Sequence, residues 1–261
     1  MSDEKIRLGG MALPNGVLVH GPTSWACAIR NDGGEIEVAS AVKTFRASSV
    51  NQPFLRGPAR LVEAMALLPQ VKHALPNAKF PMQSPRVLWS MLAAGVAVRG
   101  IRESKRIRPM AQELLSGLLS LGPAVLALRG TDLAAYHGAE HISIGRYEHG
   151  DSAQKEHERC GGHLVGPLVA TTAIGNILAN FAPLRMRTQA RAAAQFGAVA
   201  ASTEIFGWMA RNPDNVVSQA LSRPGHELQH RLSTAEPTAE QLEVAEAALA
   251  ACLELEHGPS D

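Results

Sequence analysis

Between positions 137 and 163 the chain carries His137, Glu140, His141, Glu148, His157, Cys160 and His163, within a sequence otherwise rich in Ala, Leu and Val. Imidazoles, carboxylates and a thiol in apolar surroundings must find partners or give up charge. Any fold therefore has to gather them, and a bound divalent cation satisfies several at once. The spacing is helical. Thr131 or Asp132 is a natural N-cap and Gly150 a natural stop, so a helix over 136–147 sets His137 and His141 one turn apart on one face. Two imidazoles at i and i+4 take one tetrahedral ion between them, with Glu140 beside the pair as a base toward water. His137-Gly138-Ala139-Glu140-His141 has the H-x-x-E-H order of inverted zinc peptidases. The plain alternative is a set of polar residues at a core edge, paired with their neighbours.

A third ligand is needed. Glu148 lies on the same helical face as His141 but roughly 10 Å further along the axis, so it shares their ion only if the helix breaks, for instance at Gly145. His157 and Cys160 are placed on a second short helix over 152–160, ended by a left-handed turn at Gly161-Gly162 and folded back on the first helix through Gly150-Asp151. That hairpin, over 131–163, brings Cys160 or His157 to the first pair. A thiolate selects zinc over magnesium or calcium. The competing fate of Cys160 is that of an inert buried thiol. His163 and Glu148 are secondary candidates.

These residues carry a family resemblance. Tyr136-His137-Gly138-Ala139-Glu140-His141, Tyr147-Glu148 and Arg159-Cys160-Gly161 resemble the signature of the YqhQ-like bacterial proteins, the domain-of-unknown-function 1385 family, described as predicted metal-dependent enzymes. Gly9-Gly10-Met11-Ala12, Gly16-Val17-Leu18, Gly21-Pro22 and Trp25-Ala26-Cys27-Ala28-Ile29-Arg30 resemble its N-terminal glycine-rich segment, and Arg56-Gly57 with Leu61-Val62-Glu63 the next block. Gly225, Leu228-Gln229, Thr234, Glu236-Pro237 and Glu243-Val244-Ala245 follow its closing pattern. The chain departs from the family at His20, Glu158 and Gly162, and its central region is less membrane-like. What the resemblance implies is a metal site, without a substrate.

His226-Glu227-Leu228-Gln229-His230 is a second zinc-like string, H-E-x-x-H, on a helix that Pro224-Gly225 would start. Several glutamates downstream, Glu236, Glu240, Glu243 and Glu246, would serve equally as third ligand, so the string discriminates little. The expectation is that His226 or His230 is exposed and contributes nothing to the ion.

With 261 residues the chain has length for one large domain or two small ones. A formal charge of +1 and 19% charged residues indicate no nucleic-acid surface. Three scattered cysteines, Cys27, Cys160 and Cys252, make no disulfide framework and suit a reducing cytoplasm. The charged start, 1–5, is not followed by an apolar run of signal-peptide type.

The expected class is α+β. A small glycine-rich β unit, 1–58, packs on a helical body, 59–261, unless the two form one continuous domain. Strands over 25–30 and 35–40 flank the turn residues Asn31-Asp32-Gly33-Gly34. The glycines near Gly9-Gly10 are turn and close-packing positions, not a dinucleotide loop. Helices are expected over 59–74, 87–98, 111–128, 164–181, 188–211 and 241–256, with 76–85 as a linker. The uncharged stretch through 164–184 has about the length that crosses a hydrocarbon core. Its Pro167, Thr171, Thr172, Asn176 and Asn180 equally suit a buried helix, so contact with the inner membrane stays open.

The reading that follows is a cytoplasmic metal-dependent hydrolase of a small molecule or peptide. Zinc is bound by His137, His141 and Cys160 or His157, with Glu140 as general base. The alternative is a structural metal in an interaction or membrane-organising protein, signalled by four protein ligands and no open position. The oligomeric state is not specified.

Overall fold

The computed structural model describes residues 5–104, 106–150 and 153–258. The start of the charged N-terminal run, Asp151 of the expected turn and Ser152 at the start of the expected second helix lie outside the described residues.

Four strands, β1 (Gly9–Leu13), β2 (Gly16–His20), β3 (Ser24–Arg30) and β4 (Ile36–Val42), form an antiparallel meander in the order β1-β2-β3-β4. Leu13 pairs with Gly16 across a two-residue loop. Gly16 must be glycine, because a Cβ there would stand 2.2 Å from the Ala28 carbonyl oxygen. Asn31 closes the β3–β4 turn by accepting from Gly34 N at 3.0 Å, with Gly34 at φ +87°. Two strands beyond those expected, β1 and β2, come from the glycine-rich segment.

Alternation along β2 and β3 feeds two cores. Val17, Val19, Ala26 and Ala28 pack against helices α4 (Asp132–His149) and α8 (Ala239–His257), through Tyr136, Ala139, Val244, Ala245, Ala248 and Cys252. Leu13, Leu18, Trp25, Cys27 and Ile29 pack against α1 (Arg56–Ala74), through Leu67 and Val71. Leu18 and Ile29 are wholly buried, each contributing about 2 kcal/mol. The 76–85 segment after α1 is tied to the sheet: Ala78 is buried in the second core and Asn15 Oδ1 accepts from Lys79 N at 2.9 Å.

The remaining helices are α2 (Pro85–Glu103), α3 (Pro109–Leu128), α5 (Val165–Ala179), α6 (Arg187–Arg211) and α7 (Val216–Leu228), the last continued by one π turn, Gln229–Ser233. α2 pairs with α3 and α5 with α6, while α3 also packs on α5, so two helical hairpins make one lobe beside the sheet unit.

Two expectations are corrected. Residues 153–160 are irregular and not helical, and Gly161 and Gly162 open a 3-10 turn, Gly161–Leu164, where a left-handed stop was expected. The segment's polar groups are taken by side chains: Lys155 O by His141 and His157 N by Gln229. The helix carrying His226 starts at Val216 and not at Pro224, because Asn215 Oδ1 caps Val217 N at 2.9 Å.

Candidate metal centre

α4 begins after Thr131 in extended conformation and ends at Gly150, φ +95°, so His137 and His141 project from one face of it. Their ring centroids are 4.4 Å apart. Cys160, at the start of the 3-10 turn, completes a group in which His137, His141 and Cys160 each offer one ligand atom and all three atoms lie within 4.8 Å of one another. Cys160 Sγ stands 3.5 Å from His137 Nε2.

The hydrogen bonds decide the tautomers. His137 Nδ1 lies 2.8 Å from Ser233 O and His141 Nδ1 lies 2.5 Å from Lys155 O. A carbonyl only accepts, so in each neutral ring Nδ1 carries the proton and Nε2 keeps its lone pair. Carbonyl partners of this kind are what orient metal-ligating histidines. Burial, then the neighbouring His137, holds His141 down to about 3, and burial lowers His137 too. Both rings are thus neutral near pH 7. Burial pushes the Cys160 thiol up to about 12, a value for the metal-free site that a cation would reverse.

Glu140 is buried, and its Oε2 has no hydrogen-bond partner among the described residues. Burial alone raises its carboxyl to about 8. It packs on β1, where a Cβ on Gly10 would meet Glu140 Oε1 at 2.3 Å. His137, Glu140, His141 and Cys160 all line one cavity of about 730 Å³.

His157 lines the same cavity, its ring centroid 5.6 Å from that of His141, but it stands outside the three-residue group. Its Nε2–H donates to Glu148 Oε2 at 3.0 Å and its Nδ1 accepts from Arg159 N at 3.3 Å, so both ring nitrogens are engaged. Glu148, also paired with Arg159, is a latch on the 157–160 segment; against burial, which raises its carboxyl, the pairing with His157 and Arg159 lowers it overall. His163 is buried elsewhere, Nδ1 to Ser222 O at 3.2 Å and Nε2 accepting from Gln229 Nε2 at 3.0 Å. His226 and His230 are exposed and stacked on each other, with His230 against Glu156 at 3.0 Å.

Several supporting residues had no role assigned to them from the sequence, beyond the family resemblance or a departure from it. Gln229, wholly buried, holds both His157 N and His163. Gly138 admits the chain at Ala235, whose carbonyl oxygen would lie 2.1 Å from a Cβ there, and so lets the π turn present Ser233 O to His137. His20 lines the cavity; its Nδ1 lies 3.0 Å from Lys43 Nζ, an ammonium that only donates, which leaves the ring proton on Nε2. Lys43 is itself fixed by Glu63 at 2.7 Å. The signals were present only as isolated glycines and polar residues far apart in sequence.

Residues 131–255 match the family model described as "Protein of unknown function (DUF1385)". This stretch of the chain, which carries the cluster, is similar to a domain-of-unknown-function family. No curated protein and no solved structure matches the chain.

Proposed function

We propose that the chain is a zinc-type, metal-dependent hydrolase working at a membrane. The observation that carries the metal reading is the convergence of two lone-pair nitrogens and one sulfur on a cavity, with both tautomers set by backbone carbonyls. Two nitrogens and a sulfur are a donor set that zinc accepts. When bound there, zinc would supply a Lewis acid able to lower the pKa of water to about 7. His137, His141 and Cys160 would hold the ion. Glu140, on the same cavity wall and without an Oε2 partner among the described residues, would serve as the base that takes a proton from water and returns it to the leaving group.

A closed structural site would need a fourth protein donor. The neighbouring imidazole His157 has both nitrogens engaged, so the further donor at hand is the Glu140 carboxylate; the catalytic arrangement is the one in which Glu140 meets water and the structural one that in which it meets the ion.

The membrane part rests on the lobe. Two stretches, Met110–Leu128 and Gly161–Ala179, are long and apolar enough to cross a bilayer. Polarity in the lobe is inverted: Glu113 Oε2 accepts from buried Asn176 at 2.7 Å, and Gln195 donates to Asn176 Oδ1 at 3.0 Å, while Leu118 is 68% exposed and Leu178 62%. Polar side chains turned inward and leucines outward fit hydrocarbon better than water.

The test is zinc stoichiometry with X-ray absorption on purified protein. One zinc per chain is expected, with two nitrogens, one sulfur and at least one light non-protein donor. His141→Ala and Cys160→Ser should each lose most of it, while Glu140→Gln should retain it and lower turnover by about 100- to 10,000-fold once a substrate is in hand. A four-protein-donor shell, or zinc retained in both ligand variants, would end this reading.

A further inference from the structure

The cavity that reaches His137, Glu140, His141 and Cys160 has a second end of different character. Its wall there is built by Val87 and Met91 of α2 and by Pro123, Ala124, Ala127 and Leu128 of α3. Among the described residues, no charged side chain of either helix lines it. Met91 and Ala124 belong to two surfaces at once, since both line the cavity and both are exposed, Met91 by 46%. Around them the outward face of the same hairpin continues with Leu92, Val96, Leu114 and Leu118, each at least half exposed. The apolar end of the cavity therefore runs into the apolar outside of the hairpin.

The exposed face also indicates its occupant. The hairpin turn carries Arg106 and Arg108, exposed, and the turn between α5 and α6 carries exposed Arg185. The two turns adjoin, because Arg99 and Arg102 of α2 and Arg191 of α6 line one pocket. Trp89, 71% exposed, sits near the opposite end of α2, between the cavity-lining Val87 and Met91 in sequence. A helix of the length of α3 reaches about 30 Å, the thickness of a hydrocarbon core. Leucines between two arginine-bearing ends, Arg106 and Arg108 at one and exposed Arg86 and Arg129 with Trp89 at the other, complement a bilayer with anionic headgroups.

From these observations we infer that the cavity takes one acyl chain of a membrane lipid, admitted sideways from the bilayer through the α2–α3 wall. The polar group heading that chain is brought to the His137–His141–Cys160 end. A cavity of this size is ordinary for a ligand site, and its apolar and polar ends match the two ends of a lipid. His20, with its ring proton on Nε2, is a donor for a headgroup oxygen at the polar end. The inference rests on the reading of this cavity as the reaction site; the chain-binding end is independent of the metal.

The experiment is photolabelling of the full chain in vesicles of phosphatidylethanolamine and phosphatidylglycerol that contain a phospholipid with a diazirine on one acyl chain. Leu133 and Ile144 of α4 line the cavity yet are buried, 6% and 3% exposed, so bulk lipid does not reach them. Label on these two residues is expected. Ala127→Trp, which fills the apolar end, should cut that label by about tenfold or more. Leu118→Trp, the same side chain on the outward face, should leave it unchanged. A diazirine-bearing butyrate, which has the carboxylate without the long chain, should not label them. Zinc content and vesicle binding of both Trp variants report whether they fold. The double variant His137→Ala/His141→Ala separates the two readings: label without zinc leaves the lipid site standing and removes only the metal. Zinc without label on Leu133 and Ile144, or equal label in wild type and Ala127→Trp, overturns the inference. So does labelling from butyrate alone, or crosslinking between copies through the α2–α3 face.

Discussion

Glu140 is the residue whose environment makes the sharpest demand. Its carboxyl is raised by burial from 4.5 to about 8, so between those values the folded, metal-free chain holds a proton that the unfolded chain releases. Stability from this group is intact below pH 4.5 and falls as pH rises toward 8. His141 acts oppositely: its folded value of about 3 lies below 6.5, so its contribution grows as pH rises from about 3 to 6.5 and is flat above. The window from pH 6.5 to 8 therefore isolates Glu140 from His141. Across it the chelator-treated wild type should lose about 2 kcal/mol, while Glu140→Gln, uncharged at every pH, should lose little of that. Denaturant unfolding at both pH values measures the difference. Parallel slopes for the two proteins would mean that the carboxyl is already ionised or finds a partner. The same unpartnered oxygen is what a nearby cation and its water would satisfy, so stability and chemistry here have one cause.

At the scale of elements, the ligands on α4 are held by pieces that are not neighbours in sequence. The π turn after α7 delivers Ser233 O to His137, and Gln229 at its start fastens the 157–160 segment and with it Cys160. Gln229→Leu keeps similar volume but strands His157 N and His163 Nε2 without a partner. It should cost on the order of 2–4 kcal/mol of stability and weaken zinc affinity by about 10- to 100-fold, read by chelator competition. Unchanged zinc affinity in a destabilised variant would show that Cys160 is positioned by its own turn. This layout explains what could be read from the sequence. α4 was legible because caps, glycine stop and i, i+4 histidines are all local. The α+β class was legible from the Asn31–Gly34 turn and the helical periodicity beyond Pro58. β1 and β2 were not assigned, since Gly9, Gly10 and Gly16 weaken strand propensity and are there for close approach to His20, Glu140 and Ala28. The helix expected over 152–160 does not form over the described residues 153–160 because His141 and Gln229 claim Lys155 O and His157 N, a tertiary demand invisible to local spacing. His226 and His230 share a face as their spacing dictates, but Gly225 on the same helix is the residue that packs inward, its Cβ position 2.6 Å from Gly162 O. The motif therefore looks outward.

For the whole molecule, the question is which solvent the helical lobe was built for. In water, a surface where Leu88, Leu92, Leu114, Leu118, Ile174 and Leu178 stand out while Glu113 and Asn176 turn in would be an aggregation liability. In a bilayer the same arrangement keeps the inward-turned Asn176, Glu113 and the Arg102 Nη2 group paired with one another and with Gln195, while Ser116 Oγ and Arg102 Nε have no partner among the described residues. The two cases respond oppositely to one charge. Leu118 lies near the middle of α3 and 68% exposed, so Leu118→Arg should be close to neutral for stability in water and should improve solubility. In hydrocarbon the same arginine at a helix centre costs about 3 kcal/mol. We therefore expect wild type to remain with membranes through an alkaline carbonate wash and Leu118→Arg to be partly released. A matched substitution in the sheet unit, Val38→Arg on an exposed β4 position, should be retained like wild type. If wild type itself washes off, or if Leu118→Arg and Val38→Arg partition alike, the lobe meets water or protein in place of lipid, and the cavity's apolar mouth would have to be explained by another partner.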